Sequence, residues 1–235
     1  MRAKAASKLN AGDSIKWRSH EPSRIETFSD AAFAFALTLI IVSIEVPKTF
    51  HDLMETMKGT LSFALCFAIL FNIWNSQNIF FRRYGLNDKF TVTINAVLLF
   101  VVLIYTYPLK FLFELLTADD AKQSLMIKSD DIRELMLIYS AGFCAIYILF
   151  YLMYRHVLKF IDELQLTPAE VYQTKTVTTM NLLCVGICLL SVTFALIFRS
   201  IAGFSGYIFF LFPIAYSTWF SYRGKKKRAL FPKED

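Results

Sequence analysis

Within residues 23–47, otherwise dominated by apolar side chains, three oxygen-bearing groups stand out: Asp30, Thr38 and Glu45. An ionised carboxylate inside a membrane span costs about 2.5–3.5 kcal/mol on insertion scales, so one that is kept there faces a bundle interior or water. Winding the stretch at about 100° per residue puts Ala31, Phe35, Thr38, Val42 and Glu45 on one stripe, which Arg24 and Phe28 extend downwards. Asp30 falls roughly a quarter-turn off it and Ser29 on the far side. Such a stripe can line a passage for cations. A carboxylate at Glu45, near the outer end of the stripe, would concentrate cations at an outer mouth. A plain helix–helix contact is the simpler reading of the stripe, and helix pinning is the simpler role for Asp30.

Asp30 needs hydrogen-bond donors from other elements, because Glu26, one turn below, carries the same charge. Trp74, Gln77, Asn78 and Asn95 fall at a similar depth on the second and third apolar segments. The chain around them is 235 residues long and 56% hydrophobic, with 24 Phe. A soluble domain of this length is closer to about 45–50% apolar, so the composition is that of an all-α integral membrane protein. Six segments are long enough to cross a hydrocarbon core of about 30 Å: about 27–46, 59–81, 90–116, 132–154, 176–198 and 204–222. Ser23 and Glu26 have capping-box spacing, which starts the first helix near Ser23, and Pro47 ends it. Pro213 marks an expected kink in the sixth. The expected organisation is a polar tail over 1–22 without a secretory leader, a six-helix unit over 23–222, and a basic tail over 223–235.

Charge placement orients this bundle. Segments 1–26, 82–89, 155–175 and 223–235 hold 18 of the 25 Lys and Arg residues. The positive-inside rule therefore puts these segments and both termini in the cytoplasm. The net charge of +6 does not point to nucleic acid, because the charges cluster beside spans. The run at 223–228 directly follows Trp219 and Tyr222, as an interfacial anchor would. Four cysteines (Cys66, Cys144, Cys184 and Cys188) sit in apolar runs and read as small buried hydrophobes. No phosphate-binding Gly-rich loop, His-Glu-x-x-His or Gly-x-Ser-x-Gly occurs, so neither enzyme chemistry nor a cofactor is expected.

The segment Arg24-x-x-x-Phe28-Ser29-Asp30, with Ala-x-x-x-Thr-Leu after it and Glu45-Val46-Pro47 at its end, resembles the opening of the transmembrane protein 175 family of potassium channels. A Trp-containing second span (Trp74 to Phe81) and a third span running from Asn95 to Pro108 extend the resemblance. It implies a first helix lining a central pore and, for a chain with one six-span repeat, a homotetramer. It further implies an apolar constriction at Phe35, a selectivity layer at Thr38, Val42 as the next ring outward, and a polar network that includes Arg24, Phe28, Ser29, Asp30, Trp74, Asn78 and Asn95. Permeant potassium and other monovalent cations, membrane lipid and other copies of the chain are the implied partners, and a prokaryotic plasma membrane is the implied location. Ser76, Gln77 and Asn78 stand where relatives often carry a histidine. A proton-coupled carrier using Asp30 is the competing reading of the same residues.

Overall fold

A computed structural model describes residues 17–18, 21–42, 46–118, 126–128 and 131–231. Seven α-helices are present among them: α1 (Arg24–Val42), α2 (Phe50–Lys58), α3 (Thr60–Tyr84), α4 (Lys89–Thr117), α5 (Ile132–Val157), α6 (Pro168–Ile197) and α7 (Leu211–Leu230). Six membrane-length apolar helices result, because α7 is preceded by a 3-10 segment, Arg199–Phe210, and the two together make the sixth span. Helix α1 packs on α3 and α4, α4 on α5, and α5 on α6, which also carries the 3-10 segment and α7.

Local chemistry sets the helix ends. At α1, Glu26 accepts from Ser23 N (3.0 Å) and donates its own N–H to Ser23 Oγ (3.4 Å), which completes the expected capping box. Helix α3 stops at Gly85, whose left-handed φ of 61° lets its N–H reach Phe81 O at 2.7 Å. Asp88 caps α4 by accepting from Phe90 N and Thr91 N. Thr167 and Glu170 form a second capping box at α6, with Pro168 in its first turn. That cap starts the fifth span at Pro168, eight residues before the apolar run alone indicates.

Two features depart from the expectation. Helix α2, a short amphipathic helix, occupies the connection after α1. The kink in the sixth span lies at Ile201 (φ −125°, ψ 28°), whereas Pro213 sits in the first turn of α7. Pro213 thus stands where the 3-10 segment hands over to α7, not in the interior of an α-helix, where a proline is most disruptive.

The core is aromatic. Phe80 packs edge-on against Tyr154 (5.2 Å between centroids), and Tyr84 against the same ring at 5.9 Å. Tyr105 and Tyr139 stitch α4 to α5: Tyr105 Oη donates to Tyr139 O (3.0 Å), and Tyr139 Oη donates to Pro108 O (2.8 Å). All four cysteines are buried and unpaired.

The helix ends rich in Lys and Arg meet at one end of the bundle. Arg18 reaches Glu170 there, His156 reaches Asp88, Tyr84 reaches Thr174 and Lys227 reaches Gln173. The charge asymmetry read along the chain is thus an asymmetry of the folded molecule.

Candidate functional site: the first helix and its polar supports

Helix α1 is two-faced. Ser29, Phe33, Ala36 and Ile40 are buried against the rest of the chain. Ala31, Phe35, Thr38 and Val42 are exposed, Phe35 at 56% and Val42 at 72%. The stripe drawn from helical spacing is therefore the face this subunit leaves open. Glu45, its outermost member, lies outside the described residues.

Thr38 Oγ–H donates to Ala34 O at 2.9 Å. A hydroxyl has one proton to give, and here it is spent on the helix itself. The oxygen that remains on the open face is an acceptor only. That is the polarity a cation requires.

Polar groups on three helices support α1: the exposed Asp30 pairs with Trp74, and behind the open face lies the buried chain of Ser29, Asn95 and Gln77. Trp74 Nε1–H donates to Asp30 Oδ1 at 2.7 Å. Asn95 Nδ2 donates to Ser29 Oγ (2.9 Å), and Gln77 Nε2 donates to Asn95 Oδ1 (2.9 Å). Ser29 Oγ–H donates to Ile25 O at 2.7 Å. Ser29, Gln77 and Asn95 are all buried. Of the four candidate donors for Asp30, Trp74 alone bonds to it among the described residues; Asn95 donates to Ser29 instead, and Gln77 donates to Asn95.

Gln77, rather than Asn78, is the second-span amide in the network. Asn78 is half-buried and forms no side-chain hydrogen bond among the described residues. Arg24 and Phe28 are exposed, on the side of α1 that carries the open stripe. Spacing on α3 separates Gln77 from Asn78 by about 100°, and only the packing direction of that helix decides which of them points to α4.

No group of three or more His, Cys, Asp or Glu side chains suited to a metal occurs among the described residues.

The profile of the endosomal/lysosomal potassium channel TMEM175 family matches residues 24–105, the part of the chain that holds the open stripe and the network. A protein described as a potassium channel from Marivirga tractuosa is 37% identical over 231 residues, covering 92% of this chain and 93% of its own length. A potassium channel of Chamaesiphon minutus is 28% identical over 191 residues, 77% of this chain and 86% of the relative. Among solved structures, the potassium channel MtTMEM175 in its T38A variant, crystallised with a nanobody–MBP fusion, superposes with a TM-score of 0.80 at 36% identity, over 91% of this chain and 98% of that one. A TMEM175 homologue from Chamaesiphon minutus shares the fold, with a TM-score of 0.56 at 23% identity. Near-complete coverage at this identity, in sequence and in superposition, makes the chain a member of the TMEM175 family.

Proposed function

We propose that this protein is a potassium channel in which four copies of the chain surround a central passage lined by α1. The observation that carries the reading is the exposure of Ala31, Phe35, Thr38 and Val42 on a membrane-length helix whose opposite face is buried. Phe35 and Val42 form apolar rings that empty of water when narrow and rehydrate when they widen. Thr38 presents four acceptor oxygens between them. Potassium gives up its water more readily than sodium, so a partly dehydrating hydroxyl ring favours potassium, and one such ring gives modest selectivity. Glu45 at the outer mouth raises the local cation concentration. The network of Ser29, Asp30, Trp74, Gln77 and Asn95 holds α1 in place and stays off the passage wall. The permeant potassium ion is the cargo, and the channel uses no cofactor.

In this reading the basic end of the bundle faces the cytoplasm of a prokaryotic cell, with both chain termini on that side. The exposed aromatic flanks, among them Phe67, Phe71 and Phe204, contact acyl chains, and the exposed Lys225, Lys226 and Arg228 lie at the anionic headgroups.

Bi-ionic recording of the purified protein in a planar bilayer, potassium against sodium, tests the proposal. Discrete current steps that reverse at a potential favouring potassium are expected. Slow, saturable uptake that follows a proton gradient, without steps, would overturn it in favour of a carrier working through Asp30.

A further inference from the structure

The basic end of the bundle contains a second built site, away from α1. Arg18 inserts its guanidinium between α3, the loop that joins α5 to α6, and the first turn of α6. Its Nη1 and Nη2 meet Glu170 Oε1 and Oε2 fork to fork, both at 2.9 Å. Nε donates to Leu164 O (3.0 Å), Nη1 also to Arg83 O (3.3 Å) and Nη2 also to Gln165 O (3.5 Å). A guanidinium has five N–H donors in a fixed plane, and five acceptors stand around this one. The main-chain N–H of Arg18 adds a bond to Arg82 O at 3.0 Å, and the Arg82 guanidinium lies 4.5 Å above the Trp17 ring.

Each wall of this socket is prepared by its own local structure. Arg82 O and Arg83 O belong to the last turn of α3, where carbonyls lack helical partners and a cation is welcome. Gln165 is the one non-glycine residue with positive φ (48°) among those described. Its unusual backbone belongs to the loop whose Leu164 and Gln165 carbonyls both face Arg18. Glu170 is held before Arg18 is counted, because Thr167 N donates to its Oε2 at 2.9 Å in the α6 capping box. The Glu170 side chain is 3% exposed and that of Arg18 is 17% exposed.

We infer that Arg18 is a positioning residue for the pore-lining helix: its socket anchors the basic end of α1 to α3 and α6. The inference rests on the reading that α1 lines the passage. Arg18 stands six residues before Arg24, so the start of α1 is tied to the socket by a tether of at most about 20 Å. Helix α1 itself packs on α3 and α4; Arg18 adds a link to α6, in the other half of the bundle. With the socket filled, the basic end of α1 moves with the whole subunit. With it empty, that end swings on its contacts with α3 and α4.

Two variants of the full-length channel in nanodiscs test this. Glu170→Gln keeps an acceptor for Thr167 N but loses the charge that grips Arg18; Arg18→Lys keeps the charge but loses the fork. Tryptic cleavage after Arg18, scaled to cleavage in the exposed run at 223–228, is expected to quicken about tenfold in Glu170→Gln, as local opening becomes easier. Hydrogen exchange over residues 27–31 is expected to rise in both variants. Single-channel open probability is expected to change at least about threefold with the potassium/sodium permeability ratio unaltered, because the Thr38 layer is untouched. Equal exchange over 27–31 in wild type and both variants would overturn the inference, as would raised exchange with unchanged open probability. A wild-type channel without potassium current would overturn the pore reading instead, and exchange and proteolysis would still decide the clamp.

Discussion

Asn95 donates to Ser29 Oγ at 2.9 Å while accepting from Gln77 at the same distance, so one amide on α4 joins the back of α1 to α3. Ser29 and Asn95 are wholly buried and Gln77 is 1% exposed. Replacing Asn95 by Leu strands Gln77 Nε2 and removes a partner from Ser29. Interhelical hydrogen bonds in membranes are worth about 0.6 kcal/mol on average and up to about 1.7. Asn95→Leu should therefore lower stability by about 1–2 kcal/mol, read as a lower unfolding midpoint in detergent, whereas Asn78→Ala should leave the midpoint in place.

Thr38→Ala removes the acceptor oxygens from the open face and leaves the helix intact, because the hydroxyl bond to Ala34 O duplicates a carbonyl already in the helical ladder. Conduction should persist. The potassium/sodium permeability ratio should fall about 3- to 10-fold, the equivalent of about 0.7–1.4 kcal/mol, the worth of one modest polar contact. The shift of the bi-ionic reversal potential measures it.

In the proposed pore, Phe35→Ala would widen the apolar ring next to the Thr38 layer. Phe35 is 56% exposed and fills no part of the subunit core, so the fold should be unaffected. A wider ring stays wet, and the expected result is a raised resting leak in flux assays on proteoliposomes, with an elution profile on size exclusion matching wild type.

Gly142 lies under the Tyr105 ring. A Cβ at this position would run into Cε2 and Cδ2 of that ring, and the ring is pinned by its bond to Tyr139 O. Gly142→Ala should separate α4 from α5 and cost about 1–3 kcal/mol as an overpacked contact. Thermal unfolding in detergent measures the loss, and Tyr105→Leu on the same background should recover part of it.

Asp88 supplies an acid-dependent part of the stability. Burial pushes its carboxyl up, but the bond from Thr91 Oγ1, the bond from His156, the Thr91 N–H and the His156 charge together outweigh burial and hold it below the ordinary value of 3.8. A carboxyl depressed in the folded state stabilises fully above the unfolded value and loses that contribution as pH falls through the lower folded one. Unfolding midpoints of the wild type should drop below about pH 4. Asp88→Asn should be less stable at pH 7 and show a smaller drop over that acid window.

Much of this arrangement is legible along the chain. Long apolar runs locate the six spans, and the spacing of Phe35, Thr38 and Val42 identifies the open face of α1, because helical periodicity is a local property. The partners of Asp30 and Ser29 are only half legible. Trp74 and Asn95 fall at the right depth, but the choice between Gln77 and Asn78 depends on how α3 is rotated, which its neighbours decide. Helix α2 escapes notice because nine mixed residues carry no span-length apolar signal. The early start of α6 is written in Thr167, Pro168 and Glu170, a capping box that hydropathy overlooks. Arg18 carries no local sign at all. Its five acceptors come from positions up to 152 residues away, and only the folded chain assembles them.

The 3-10 segment before α7 has a consequence for length. Three residues per turn set Phe204, Tyr207 and Phe210 directly above one another, with ring centroids 5.7 and 6.1 Å apart. Residues 202–210 advance about 18 Å in this form, against about 14 Å as α-helix. The last span thus gains about 4 Å of reach without an added residue, roughly an eighth of a hydrocarbon core. Its fit to bilayer thickness is set by the pitch of one segment. Winding that segment into an α-helix would shorten the span and fan the three stacked rings around its circumference.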